Sequence, residues 1–197
     1  NLQKAYKSFF QSGFGFPKFK KKRHRQSYKT NNQNGTITVL DGKVKLPKIG
    51  WVKLNQHREM SGVIKSATIS MTETGKYFIS ILCETEIYPL PKTGEHVGID
   101  LGLSDFAILS TGEKIGNEKF LQNLSKKLAK EQKILSRRAL VAKKSGKKLS
   151  ESMNYQKQRI KVANIHEKIA NKRRDFLNKL STEIVKNHDI ICIEDLS

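Results

Sequence analysis

The stretch HVGIDLGLSDFAILSTGEKI, His96 to Ile115, sets one aspartate, Asp100, into an otherwise apolar run. Val97, Gly98 and Ile99 precede it; Leu101, Gly102 and Leu103 follow. An isolated carboxylate in a core is costly, and it persists when it is paired or binds a cation. A second apolar run, HDIICIEDL from His188 to Leu196, carries Glu194 near its end and Asp195 directly after it. HVGIDLGL, SDFAILST and EKI are three consecutive strand patterns with turns at Ser104-Asp105 and Thr111-Gly112, which predicts an antiparallel meander. The strand of residues 188–196 is expected parallel to the strand of Asp100, so that both carboxylates reach one point. Oxygen ligands there suit Mg²⁺ or Mn²⁺. Two such ions activate a water and stabilise the leaving oxygen in phosphodiester cleavage. The plainer reading makes Asp100 a turn-anchoring acid and Glu194 a strand-end residue facing solvent. Asp195 points to the opposite face from Glu194 in a strand, and Asp105 lies on the wrong side of the hairpin to join them.

A parallel neighbour needs a crossover, and the intervening chain supplies two helices. Leu121, Leu124, Leu128, Leu135 and Ala139 share one face; Val162, Ile165, Ile169, Phe176, Leu180 and Ile184 share another. These spacings are helical, and KKSGKKLSES, Lys143 to Ser152, breaks them into an antiparallel hairpin. Residues 117–187 hold 20 Lys and Arg against 6 Asp and Glu. The whole chain of 197 residues carries a formal charge of +20, so most of its excess sits on this arm. A solvated hairpin needs only a balanced surface, and such an excess attracts polyanions, nucleic acid first.

Upstream, YPLPKTGEH, Tyr88 to His96, has the composition of a linker. Residues 36–88 alternate as five short strands, with Asp41-Gly42 as a tight hairpin turn; they predict a small antiparallel barrel or a curled sheet. Trp51 is read as core or barrel edge rather than a base-stacking platform. Residues 1–40 hold nine Lys and Arg and no acid. NLQKAYKSFF reads as the end of a helix stopped by Gly13, Gly15 and Pro17. Within residues 1–40 lies FPKFKKKRHRQSYK, Phe16 to Lys29, and Tyr6, Phe9, Phe10, Phe14, Phe16, Phe19 and Tyr28 are interleaved with the cations of this region. A charge run alone is often a solvated loop; interleaved rings favour a nucleic-acid surface, where cations hold phosphates and rings stack on bases. Cys83 and Cys192, the only cysteines, sit in apolar runs and are expected as buried thiols in a reducing compartment. No run of about 18 apolar residues exists, and no signal peptide is visible. The chain starts without Met and stops just after a strand, and is expected to be a fragment.

VGIDLGLSDFAILSTG and IICIEDL resemble the first and second acidic motifs of the RuvC-like nuclease domain in the transposon-encoded TnpB/OrfB proteins, relatives of type V CRISPR effectors. GFPKFKKKRHRQSYKT, VKLPKIGWVKLNQHR, TGKYFISI and KVANIHEKIANKRRDFLNKLSTEIVKNHDIICIEDLS match as well, so the resemblance runs nearly end to end. It implies a mixed α+β and α/β architecture. Residues 1–16 would close a helical recognition segment and residues 17–90 would form a wedge-like β-barrel. Residues 95–197 would be the N-terminal part of an RNase H-like (RuvC) domain, with the basic helical arm at 117–187. It implies an insertion-sequence transposase acting as an RNA-guided, metal-dependent DNA endonuclease, with Asp100 and Glu194 as catalytic and metal-binding acids. The family carries a four-cysteine zinc ribbon and a third catalytic aspartate beyond the second motif. This chain ends before both, so zinc is expected only in that further part, and residues 1–197 alone are expected to be inactive.

The partners expected are DNA and a guide RNA, with no membrane, in the cytoplasm of a prokaryote at the nucleoid. The residues expected to meet nucleic acid are Lys18, Lys20, Lys21, Lys22, Arg23, Arg25 and Tyr28, then Lys126, Lys127, Lys130, Arg137, Arg138, Lys172, Arg173 and Arg174. Two other readings compete. A non-catalytic nucleic-acid-binding relic of the family satisfies the charge alone. A sugar-kinase or actin-like ATPase also opens on GIDLG before a strand hairpin, but no second Gly-rich phosphate loop appears and the Lys-rich arm has no use there.

Overall fold

The computed structural model describes residues 2–19 and 26–194. The chain divides into two compact units, Asn1–Glu86 and Ile87–Ser197.

The first unit opens with α1 (Leu2–Ser12). Gly13, at φ +66°, ends it in the left-handed conformation that a Cβ disfavours. No residue of α1 is buried. Its rings instead gather on themselves: Phe9 meets Phe10 at 5.0 Å and Phe16 at 5.4 Å, and Tyr6 meets Phe16 at 5.8 Å. Among the described residues the strands that follow are β1 (Ser27–Asn31), β2 (Thr38–Leu40), β3 (Lys43–Leu46), β4 (Gly50–Lys53), β5 (Val63–Met71) and β6 (Tyr77–Glu84). Asp41 and Gly42, at φ +48° and +66°, turn β2 into β3, the double positive φ that a two-residue hairpin demands.

The expected barrel is corrected. Among the described residues the strands form two antiparallel sheets, β1-β5-β6 and β2-β3-β4. A barrel needs hydrogen bonds continuous around the ring, and no strand of one sheet pairs with a strand of the other. Burial joins them instead: Ile37, Val44, Leu46 and Ala67 are buried together, and Val39, Leu54, Ile64, Ile69, Ile79 and Ile81 pack on them. The strand β1 escaped the sequence reading because SYKTN has no apolar alternation; only Thr30 is even half-buried. Asn32 anchors its exit, with Nδ2 donating to the Ile64 carbonyl at 2.9 Å and Oδ1 accepting from the Ile37 amide at 2.9 Å. Trp51 stays 50 % exposed on the edge strand β4. The buried-thiol reading is also corrected: Cys83 is half-buried and Cys192 exposed.

The second unit holds β7 (His96–Leu101), β8 (Asp105–Leu109), β9 (Lys114–Gly116), α2 (Phe120–Lys144), α3 (Met153–Asn187) and β10 (Ile190–Ile193). Its sheet runs β10-β7-β8-β9, with the last three an antiparallel meander and β10 parallel to β7. The helix α3 has 35 residues, about 52 Å at 1.5 Å each, and serves two cores. Val162, Ile165 and Ile169 are buried with Leu128, against Phe120, Leu124 and Leu135 of α2. One face further along, Ile184 is buried with Val97 and Leu109 of the sheet, with Leu180, Ile99, Ile115 and Ile191 around them. Phe176 bridges the two, its ring 5.4 Å from Phe106 and 5.7 Å from Phe120. The hairpin also buries Gln158, 1 % exposed, which donates from Nε2 to the Glu131 carbonyl at 3.0 Å.

Candidate metal and nucleic-acid site

On β7 the side chains alternate. Val97 and Ile99 enter the core under α3, so Gly98 and Asp100 belong to the other face. Directly after Asp100 the chain turns: a Cβ at Gly102 would lie 3.0 Å from the Asp105 carbonyl oxygen, tighter than side chains ordinarily tolerate. Asp100 is thereby held at the C-terminal end of its strand. The neighbouring β10 lies parallel in the register Ile190↔His96, Ile191↔Val97, Cys192↔Gly98 and Ile193↔Ile99. The pairing ends at Ile193↔Ile99, on strands about 4.8 Å apart, and the residues that directly follow these two are Glu194 and Asp100. Both residues are exposed. The question of a carboxylate in the core therefore dissolves: Asp100 sits among apolar residues in sequence but at an open strand end in space.

The donor chemistry fits a hard divalent cation in kind. Neither carboxylate has a hydrogen-bond or ion-pair partner among the described residues, so their oxygens are available. The number is small. No group of three or more His, Cys, Asp or Glu gathers as a metal cage among the described residues. Asp105 begins β8, pairs with Gly116 and is half-buried. Asp195 lies outside the described residues.

One carboxylate of this region was not singled out in the sequence. Asp189 stands between α3 and β10 and reaches back to the segment before β7. Its Oδ2 accepts from the Gly94 amide at 2.8 Å, and its Oδ1 accepts from the Thr93 amide at 3.1 Å and hydroxyl at 3.3 Å. These bonds, led by the backbone amides of Thr93 and Gly94, hold its carboxyl below the usual range, and His96 adds to the effect. Its own amide donates to the Glu95 carbonyl at 2.8 Å. The linker composition of residues 88–96 hid this clasp, because Pro and Gly content says nothing about a partner some 95 positions away.

The cations divide by place. Lys20, Lys21, Lys22, Arg23 and Arg25 lie outside the described residues. Lys18 is exposed beyond α1, and Tyr28, 43 % exposed, stands on β1. Lys126, Lys127, Lys130 and Arg137 are exposed on α2, as are Lys172, Arg173 and Arg174 on α3. Arg138 differs: half-buried, it donates from Nη1 to the Asn154 carbonyl at 2.7 Å and ties the two helices together. Lys161 and Lys168 were missed. With Lys127, Glu131 and Asn164 they line a cleft of about 390 Å³ along the hairpin. The signal was available, since Lys161, Asn164 and Lys168 each directly precede a buried position, Val162, Ile165 and Ile169. No helix among the described residues is long and apolar enough to cross a membrane.

Comparison with known proteins adds a family. The model of the family OrfB_IS605, described as "Probable transposase", matches residues 80–197. A protein of Escherichia coli (strain K12) named "Putative RNA-guided DNA endonuclease InsQ" is 38% identical over 203 aligned residues, covering 100% of this chain and 46% of its own length. A "Putative RNA-guided DNA endonuclease" of Streptomyces pristinaespiralis is 36% identical over 204, covering 100% of this chain and 47% of its own length. The chain thus spans about half the length of these relatives.

Proposed function

The chain belongs to the OrfB_IS605 family of probable transposases, and from that membership we propose that it forms part of an insertion-sequence, RNA-guided DNA endonuclease of the RuvC type. The observation that carries this reading is the parallel pairing of β7 with β10 through Ile193↔Ile99; continued by one residue, that register would set Glu194 level with Asp100. Asp100 and Glu194 would hold Mg²⁺ or Mn²⁺ through carboxylate oxygens. When bound, such an ion supplies Lewis-acid activation of water and stabilisation of the leaving oxygen. The lysines and arginines of α2 and α3 bind the phosphate backbone of DNA and guide RNA, and the exposed strand ends admit the phosphodiester to the two acids. The relatives' names speak of RNA-guided DNA endonucleases, which favours these partners for this chain and a place beside the nucleoid.

Two carboxylates leave most of the six positions around Mg²⁺ to water or other ligands. Residues 1–197 alone should therefore take up Mn²⁺ weakly and cut nothing. Titrating Mn²⁺ while following paramagnetic broadening of the amides at Leu101 and Glu194 tests the site, with plasmid and single-strand cleavage measured in parallel. Broadening centred there and lost in Asp100→Ala is the expected result. Equal broadening in Asp100→Ala rejects the site, and metal-dependent cutting by residues 1–197 shows that a further ligand lies within them.

A further inference from the structure

The strand β10 is four residues long and reads Ile-Ile-Cys-Ile. A shift of one residue against β7 would turn every side chain to the other face of the sheet. Hydrophobic pattern normally forbids that, but here Ile190, Ile191 and Ile193 are nearly interchangeable. Ile190 and Ile193 are also 51 % and 62 % exposed in place. The strand's own side chains therefore specify its register weakly, although the position of Glu194 depends on it.

We propose that Asp189 is a positioning residue: by clasping Thr93 and Gly94 it sets the register of β10 on β7 and so holds Glu194 level with Asp100. The clasp stands just ahead of both strands. Asp189 directly precedes β10, and its carboxylate binds the two residues that precede Glu95 and β7. The bond from the Asp189 amide to the Glu95 carbonyl begins the ladder that Ile190↔His96 continues. Three donors meet two carboxylate oxygens, and bonds to an ionised acceptor are roughly twice as strong as neutral ones. A slip of one residue moves Asp189 by about 3.3 Å along the strand, beyond reach of all three. An asparagine would present an NH₂ group where one oxygen now accepts, and would lose at least one of the contacts. The register belongs to the fold alone; the consequence for Glu194 rests on the metal reading of Asp100 and Glu194.

The test uses the isotopically labelled chain with Asp189→Ala, Asp189→Asn and Thr93→Val. Asp175→Asn serves as a control that removes the same charge from an exposed pair with Lys179. Three signals are followed: amide exchange at Gly94, Ile191 and Ile193; cross-strand contacts Ile191–Val97 and Ile193–Ile99; and the Mn²⁺ midpoint at Leu101 and Glu194. In Asp189→Ala, exchange at β10 should quicken about tenfold or more, while the amides around Ile165 keep their protection. The cross-strand contacts should weaken or move by one residue, and the Mn²⁺ midpoint should rise several-fold. Asp189→Asn should recover part of each change, and the control none. Unchanged exchange and contacts in Asp189→Ala overturn the proposal. Altered contacts with an unchanged Mn²⁺ midpoint overturn the positioning role and leave a structural clasp. Failure of the intact chain to show Mn²⁺ broadening removes the metal reading, and the exchange and contact data then decide the register alone. If Asp189→Ala loses protection throughout, Thr93→Val, which deletes the hydroxyl's bond to Asp189 Oδ1 and the one it accepts from the Glu95 amide while leaving the two backbone bonds of the clasp, carries the same criteria.

Discussion

Asp100 and Asp189 are both aspartates beside apolar strands, and they differ by what surrounds their oxygens. Asp100 is exposed and unpartnered among the described residues; Asp189 accepts three hydrogen bonds across about 95 positions of sequence. That difference has a pH signature. The backbone amides of Thr93 and Gly94 depress the Asp189 pKa in the folded state, helped by the Thr93 hydroxyl and His96. A depressed carboxylate stabilises the fold fully above its unfolded pKa, and this contribution fades as pH falls through the folded value. Protection of the Gly94 amide should therefore persist at pH 5 and decline only below the ordinary carboxylate range. Exchange measured from pH 6 down to pH 2 checks it, with Asp189→Asn as the flat reference. A decline that starts above the ordinary range, or an equally steep profile in Asp189→Asn, contradicts the assignment.

At the scale of the element, α3 matters most, because one helix serves both the hairpin and the sheet. Its apolar residues were recognised from helical spacing as a single face, but they separate into two cores. Ile165 is buried in the hairpin core and far along the helix from Ile184, which is buried against β7 and β8. Truncation of a buried isoleucine costs about 2–5 kcal/mol through lost transfer energy and the cavity left behind. Ile165→Ala should thus open the α2–α3 hairpin first, and Ile184→Ala should loosen the sheet and the Asp100 strand first. Hydrogen exchange resolved by element distinguishes the two, and identical exchange patterns in both variants would mean that α3 behaves as one cooperative block. The buried Gln158, bonded to Glu131, adds direction to the hairpin, since a paired polar group tolerates fewer alternative alignments than an apolar seam.

For the whole molecule the governing quantity is charge. A formal +20 over 197 residues predicts nucleic-acid association that weakens steeply with salt, because each phosphate neutralised releases counterions. The slope of log affinity against log salt should be several units. Replacing Lys127, Lys161 and Lys168 with Ala should lower that slope by about 2 to 3 if all three meet phosphate, at 0.7–0.9 per contact. Replacing Lys20, Lys21, Lys22 and Arg23 should lower it too. An unchanged slope in the first set would make the hairpin cleft a solvated face; a slope near zero in the intact chain would remove the nucleic-acid reading altogether.

The sequence by itself determined what depends on near neighbours. The two helices followed from apolar spacing at three and four, the β2–β3 turn from Asp41-Gly42, and the meander from alternation and turn residues. Asp100 and Glu194 stood out because a carboxylate breaks an apolar run, and the parallel crossover followed because two helices separate their strands. Only the tertiary structure decided what depends on distant partners. It left the N-terminal strands as two sheets over one core, because barrel closure rests on pairing between strands and not on the residues of any one. It exposed Asp100, because exposure at a strand end depends on where the sheet stops. It joined Asp189 to Thr93 and Gly94, because a hydrogen bond across 95 positions leaves no periodicity for a sequence to display.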